Sequence, residues 1–227
     1  MKYSDIKQMV FSKDDVLSAV KHARKEHFED NLRNRNEFVA FDSKARGYLG
    51  EIYLKKLFES NDIEILKIDY EIDGFETDID FVIKNKDNES LKIECKTSLI
   101  PDVYKTLENS INKCDIKIIR REKHYTSIPI DVHVQIYYDE LRNERDSRLS
   151  SIIGAVSDYN DEEIIDVLEL EKIDGYFVAW IDKNSLNEYL EKFPMYSRLW
   201  KFGFRSFWKC PLLISRAPSD LIDFLKR

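Results

Sequence analysis

Two alternating runs separated by a short polar loop constrain this chain more than any other feature. Ile79, Phe81 and Ile83 in the first run and Leu91, Ile93 and Cys95 in the second share one parity, with residues 85–89 between them. Successive strand side chains point to opposite faces, so the pattern predicts a β-hairpin of residues 78–84 against 91–98 with one apolar face. The other parity carries Asp78, Asp80, Val82 and Lys84 on one strand and Lys92, Glu94 and Lys96 on the other. A loop centred on Asp87 sets Asp80 directly across from Glu94, and Asp78 across from Lys96, with Cβ atoms about 5 Å apart. Opposed carboxylates destabilise a sheet unless positive charge lies between them, and hard oxygen donors at that spacing suit Mg²⁺ or Mn²⁺. The competing reading is a solvated face on which Lys84, Lys92 and Lys96 neutralise the acids, each surface pair worth about 0–1 kcal/mol.

Residues 14–34 read as a charged helix, and a second helix runs over 43–59 with Ser43 as N-cap. In the second, Leu49, Ile52, Tyr53 and Leu57 form one apolar stripe, and Leu54 and Phe58 form another with Gly47. Such a helix is expected to be buried on two sides. Glu51 falls on the second stripe, with Gly47 and Gly50 removing bulk beside it at a cost in helix propensity. Buried there, its carboxylate needs a cation, a donor or a proton; the alternative is a partly exposed Glu51 paired with Lys55. Further along, 61–72 reads as a strand with a turn at Asp73-Gly74, and 102–114 as a helix. Residues 128–138 read as a long strand with His133 and Gln135 on its polar face, 175–181 as a strand and 185–193 as a helix. That order predicts an α/β fold, a mixed sheet with helices packed on it.

Charge gives a mixed message. The chain has 36 Lys and Arg against 43 Asp and Glu, a net charge of -7, which by itself does not advertise a polyanionic partner. The distribution is uneven: residues 156–171 hold acids and no base, while 198–216 hold bases and no acid. Within the basic stretch, 200–209 reads as one amphipathic strand, with Trp200, Phe202, Phe204 and Trp208 facing the core. Lys201, Arg205 and Lys209 on its other face are candidates to follow a phosphate backbone. Rings buried in this way would not stack on single strands. A second basic group, Lys113, Lys117, Arg120, Arg121 and Lys123, sits in a loop. Cys95, Cys114 and Cys210 are widely spaced and form no CxxC, so neither a disulfide framework nor a cysteine zinc site is expected. With no apolar run of about 18–20 residues and no signal-like start, a cytoplasmic protein without membrane contact is expected. No Gly-rich phosphate loop is present, so no nucleotide cofactor is expected.

Taken in order, Glu51 on a helix (Gly47-Tyr48-Leu49-Gly50-Glu51), Asp80 in Thr77-Asp78-Ile79-Asp80-Phe81-Val82-Ile83, and Glu94-Cys95-Lys96 on the next strand resemble the PD-(D/E)XK, or restriction endonuclease-like, nuclease superfamily. The resemblance covers 43–138 and implies an αβββαβ core with a mixed central sheet. Residues 1–42 would then be a helical extension and 139–227 a C-terminal α/β extension, within one nuclease domain. The proline of the family's name has no equivalent here, and Asp78 competes with Asp80, since a two-residue slip exchanges them. By resemblance the catalytic residues are Glu51, Asp80, Glu94 and Lys96. Asp80 (or Asp78), Glu94 and the Cys95 carbonyl would hold Mg²⁺, with Glu51 assisting, and Lys96 would orient the nucleophile. The implied activity is hydrolysis of DNA phosphodiesters, with double-stranded DNA as the expected partner and restriction as the favoured role. The extensions leave room for sequence readout and a homodimer interface, with Lys201, Arg205, Lys209, Arg120 and Arg121 as DNA-contact candidates. Alternatives are a repair or Holliday-junction-type nuclease, or a non-catalytic nucleic-acid-binding domain of the same fold.

Overall fold

The computed structural model describes residues 1–25, 36–68 and 79–226. In chain order the strands are β1 (Lys7–Met9), β2 (Glu64–Ile68), β3 (Phe81–Lys84), β4 (Ser90–Ile100), β5 (Ile118–Ile119), β6 (Val132–Leu141), β7 (Gly175–Asp182), β8 (Leu199–Phe202) and β9 (Arg205–Trp208). The helices are α1 (Lys13–Lys25), α2 (Glu37–Glu59), α3 (Leu107–Lys113), α4 (Arg142–Ser150), α5 (Asp161–Leu168), α6 (Lys183–Glu191) and α7 (Leu221–Leu225). Six strands form a mixed sheet in the order β1-β7-β6-β4-β3-β2, and β5-β9-β8 form a second, antiparallel sheet. In the larger sheet β4 and β6 run parallel while the other neighbouring strands are antiparallel. A parallel pair needs a long crossover, supplied here by α3 and β5. The fold is therefore α/β with a mixed sheet, as the element order predicts. Among the described residues no helix is long and apolar enough to cross a membrane.

The large sheet is covered on both faces. One core, including Phe41, Leu49, Phe58, Phe81, Ile93, Cys95 and Val134, lies between the sheet and α1, α2 and α5. The other, including Leu107, Ile118, Ile130, Tyr137, Leu186 and Trp208, lies under α3, α6 and the small sheet. Residues of β6 from Val132 to Tyr138 are buried on both sides, as expected for a central strand. Each large apolar side chain removed from water in these cores contributes about 1.5–3 kcal/mol.

Three expectations need correction. The second helix begins at Glu37 rather than Ser43: Asn36 caps it, accepting from Phe38 N at 2.9 Å, and Phe38, Phe41 and Ala45 extend its buried side. The supposed boundary at 42/43 therefore falls inside α2. Of the helix expected over 14–34, α1 is described over Lys13–Lys25, and 26–34 lie outside the described residues, as do Asp78, the Asp73-Gly74 turn and the end of the strand predicted over 61–72. Finally, 200–209 is a hairpin, not one strand. Phe202 pairs with Arg205 across a two-residue turn whose Gly203 adopts φ 57°, the left-handed region that L side chains avoid.

Candidate active site

From Phe81 to Lys84 the hairpin of β3 and β4 has the register the sequence predicts, but Ile79 packs in the opposite core from Phe81 and Ile83, so the single apolar face expected of 79, 81 and 83 does not reach Ile79. Phe81 faces Ile93 and Val82 faces Lys92. Before Phe81 the register breaks: Asp80 N also donates to Ile93 O, at 3.0 Å, so Asp80 and Phe81 share Ile93 as in a β-bulge and the expected Asp80–Glu94 pairing is not formed by the ladder. Asp80 and Glu94 are both buried, at 7% and 3% exposure. The Asp80 carboxylate accepts the Cys95 backbone N–H. Within a strand the N–H and C=O of one residue point to the same side, so the Cys95 carbonyl also faces the β3 side, beyond the last β3–β4 pair.

Glu94 accepts from Lys96 Nζ at 2.8 Å through Oε1 and bonds His133 Nδ1 at 2.8 Å through Oε2. Burial pushes the Glu94 carboxyl up, but the Lys96 ammonium and the His133 hydrogen bond outweigh it and hold the group at about 2. Glu94 is thus an anion at any physiological pH. Lys96 keeps 26% of its side chain in solvent, so this end of the pair opens outward. The parallel β4–β6 register sets Glu94 beside His133 and Lys96 beside Gln135. Gln135 donates to Lys96 O at 2.9 Å and accepts from Lys117 N at 3.1 Å, bracing the strand from below.

Glu51 reaches this site because of Gly50. A Cβ on Gly50 would lie 2.9 Å from Thr97 Cγ2, 3.1 Å from Ile136 Cδ1 and 3.6 Å from Cys95 Sγ, so only glycine lets α2 approach β4 this closely. Gly47 has nothing within 4 Å and so does not serve the packing expected of it. Glu51, one residue on, is half-buried, and Lys55 pairs with Glu59 at 3.8 Å. The Cys95 thiol registers the convergence: burial pushes it well above its usual range, Asp80 and Glu51 push it further, Lys96 opposes them and Glu94 adds to the push. It is an inert packing group, as its parity predicts.

Asp80, Glu51, Lys96 and Glu94 thus all lie close enough to act on Cys95, while Asp78 lies outside the described residues. The carboxyl donors are hard oxygens, which suit a divalent cation in chemistry. Among the described residues no three Asp, Glu, His or Cys side chains are clustered to hold an ion. Any ion here would rest on Asp80, Glu94 and the Cys95 carbonyl, the rest of its shell being water. From the sequence His133 and Gln135 could either line the cleft or serve the structure; their polar parity was visible, but their partners depend on a parallel register that the sequence does not carry.

The two basic groups meet. Ile118 pairs with Trp208 and Ile119 with Phe207, and Arg120 N donates to Ser206 O at 2.9 Å. A groove of about 510 Å³ results, lined by Arg120, Arg121, Glu122, Lys123, Phe204 and Arg205. Lys201 and Lys209 do not line it. Trp200 stacks on Phe207 at 4.4 Å and Trp208 is buried, but Phe202 is 46% and Phe204 104% exposed, against the expectation of four buried rings. Comparisons with protein-family models, curated proteins and solved structures find no match to this chain.

Proposed function

We propose that this protein is a divalent-metal-dependent endodeoxyribonuclease with a restriction endonuclease-like core formed by α2, β2, β3, β4, α3 and β6. The observation that carries the reading is a buried Asp80 bonded to the Cys95 N–H next to a buried Glu94, with Lys96 hydrogen-bonded to Glu94 two residues on. A sheet gains little from such a group, since apolar residues of similar volume serve stability as well or better. Asp80, Glu94 and the Cys95 carbonyl would hold Mg²⁺, for which Mn²⁺ would substitute, with Glu51 in support. Bound there, the ion would supply Lewis-acid polarisation of a phosphate and a more acidic water. Held by Glu94 at 2.8 Å, Lys96 would orient the nucleophile and stabilise negative charge developing on the phosphate oxygens. His133 fixes the Glu94 carboxylate from the far side and Gln135 fixes the Lys96 backbone. A restriction role remains the favoured biological setting, with repair or junction resolution as the other nuclease roles.

The test is incubation of supercoiled plasmid with the protein and Mg²⁺ or Mn²⁺, alongside EDTA, Glu94→Gln and Lys96→Ala. Cleavage that disappears with chelator and falls by about 100-fold or more in each variant is expected. Intact plasmid in every metal condition, with a cooperatively folded wild type, would overturn the reading.

A further inference from the structure

The β8–β9 hairpin carries a feature that phosphate binding alone does not explain. Gly203 takes the first position of the two-residue turn, which throws Phe204, at the second, entirely into solvent at 104% exposure. A ring so placed packs on nothing in its own chain, and it stands at the rim of the groove formed with Arg120, Arg121, Lys123 and Arg205. Four cations and the single acid Glu122 give that lining a positive balance in a chain whose net charge is -7. Arg120 is held in place, donating to the Glu122 carbonyl at 3.3 Å with its guanidinium 5.6 Å over the Trp208 ring. The groove belongs to the sheet that covers the same face of the large sheet as Glu94, Lys96 and His133. The connection is short, since Gln135 bridges Lys96 O and Lys117 N, and Arg120 follows Lys117 by three extended residues, about 10 Å of chain.

We propose that this hairpin binds a single-stranded nucleic-acid segment beside the active site, with Phe204 stacked on an unpaired base and the groove cations on the neighbouring phosphates. An aromatic platform beside a cationic track is the arrangement that single strands select, because every base offers a face once it leaves the duplex stack. A continuous duplex offers phosphates to the arginines but no free base face to the ring. The proposal rests on the nuclease reading for the identity of the polymer and for the use made of it. It narrows that reading to substrates with an unpaired stretch.

Binding in EDTA separates the two. Fluorescence anisotropy would follow labelled dT20, an abasic strand of equal length and a 20-base-pair duplex against wild type, Phe204→Ala, Phe204→Trp and the double variant Lys123→Ala/Arg205→Ala. The Phe204→Ala change is expected to weaken dT20 binding by at least about five-fold while changing abasic-strand binding by less than about two-fold, with Phe204→Trp restoring the loss. The double variant should weaken all three ligands. Equal losses on dT20 and the abasic strand, or no loss on either, would overturn the stacking role. Unchanged oligonucleotide binding with a dimer converted to monomer in sedimentation would assign the tip to a second copy of the chain and overturn it too. The expected pattern without plasmid cleavage would uphold this inference while the nuclease reading fails; cleavage without a Phe204 effect would do the reverse.

Discussion

Replacing Lys96 by Met removes the ammonium 2.8 Å from Glu94 while keeping an unbranched stem of similar length. In the wild type the Glu94 carboxyl is held at about 2 against an ordinary 4.5, because Lys96 and His133 outweigh the upward push of burial. At 1.36 kcal/mol per pH unit that gap corresponds to about 3 kcal/mol. Lys96 is 26% exposed, so solvent screening reduces its share of this figure, which is the net of Lys96, His133 and burial. A depressed carboxyl contributes stability in full above its unfolded value and loses it as the pH falls through the folded one. The wild type should therefore gain stability over the variant as the pH rises from about 2 until the variant's carboxyl has also ionised, and hold a gain on the order of 3 kcal/mol above that. In Lys96→Met the burial push faces only His133, so the carboxyl should titrate at a higher pH than in wild type. Urea denaturation across that range, read as the difference between the two proteins, measures the first expectation, and ¹³C NMR of the Glu94 carboxyl measures the second. A difference independent of pH, or a wild-type carboxyl titrating near 4.5, would refute the reasoning.

Two further substitutions test the framework around the site. Gly50→Ala puts a methyl 2.9 Å from Thr97 Cγ2 and should cost about 1–3 kcal/mol, while Gly47→Ala, with open space around it, should gain up to about 1 kcal/mol; the reverse order in urea midpoints would contradict the α2–β4 contact. Asp42→Ala removes a fully buried carboxylate that accepts from Arg46 at 2.8 Å and Arg145 at 2.6 Å. The change should cost about 3–5 kcal/mol in thermal unfolding, and an unchanged melting temperature would show that the cluster is dispensable.

What the sequence could reveal follows from range. The β3–β4 hairpin is local and its loop fixes its register from Phe81 to Lys84, but the arithmetic did not foresee that Asp80 and Phe81 share Ile93, which ends the ladder before Glu94. The β4–β6 pairing joins segments separated by α3 and β5, and a parallel register has no loop to set it, so the partnership of Glu94 with His133 could not be read. The start of α2 was missed because Ser43 made a credible cap in the middle of a helix that Asn36 actually caps. The β8–β9 hairpin was missed for a different reason. The alternation of Trp200, Phe202 and Phe204 continues to Trp208 as if unbroken, but pairing Phe202 with Arg205 reverses parity across the turn. Trp200 then lies opposite Phe207 rather than on the face of Trp208. Gly203 was the available signal, since a lone glycine inside a strand pattern marks a bend.

Two of the buried ionic clusters among the described residues differ in a way that bears on function. Asp42 with Arg46 and Arg145 lies on the helical side, and the Asp42 and Arg145 side chains are wholly removed from solvent. Its cations are satisfied by fixed partners, including the Leu168 carbonyl, so it ties α2, α4 and α5 together and has no opening to a ligand. Glu94, Lys96 and His133 lie on the opposite face, where His133 Nε2 is buried without a hydrogen-bond partner. Leaving a buried nitrogen unsatisfied costs about 1–3 kcal/mol, and the Lys96 head nonetheless reaches solvent. A cluster kept for stability would close both ends, as the Asp42 cluster does. This one keeps an unsatisfied donor or acceptor inside and a charge at the surface, the distribution expected where local stability gives way to chemistry.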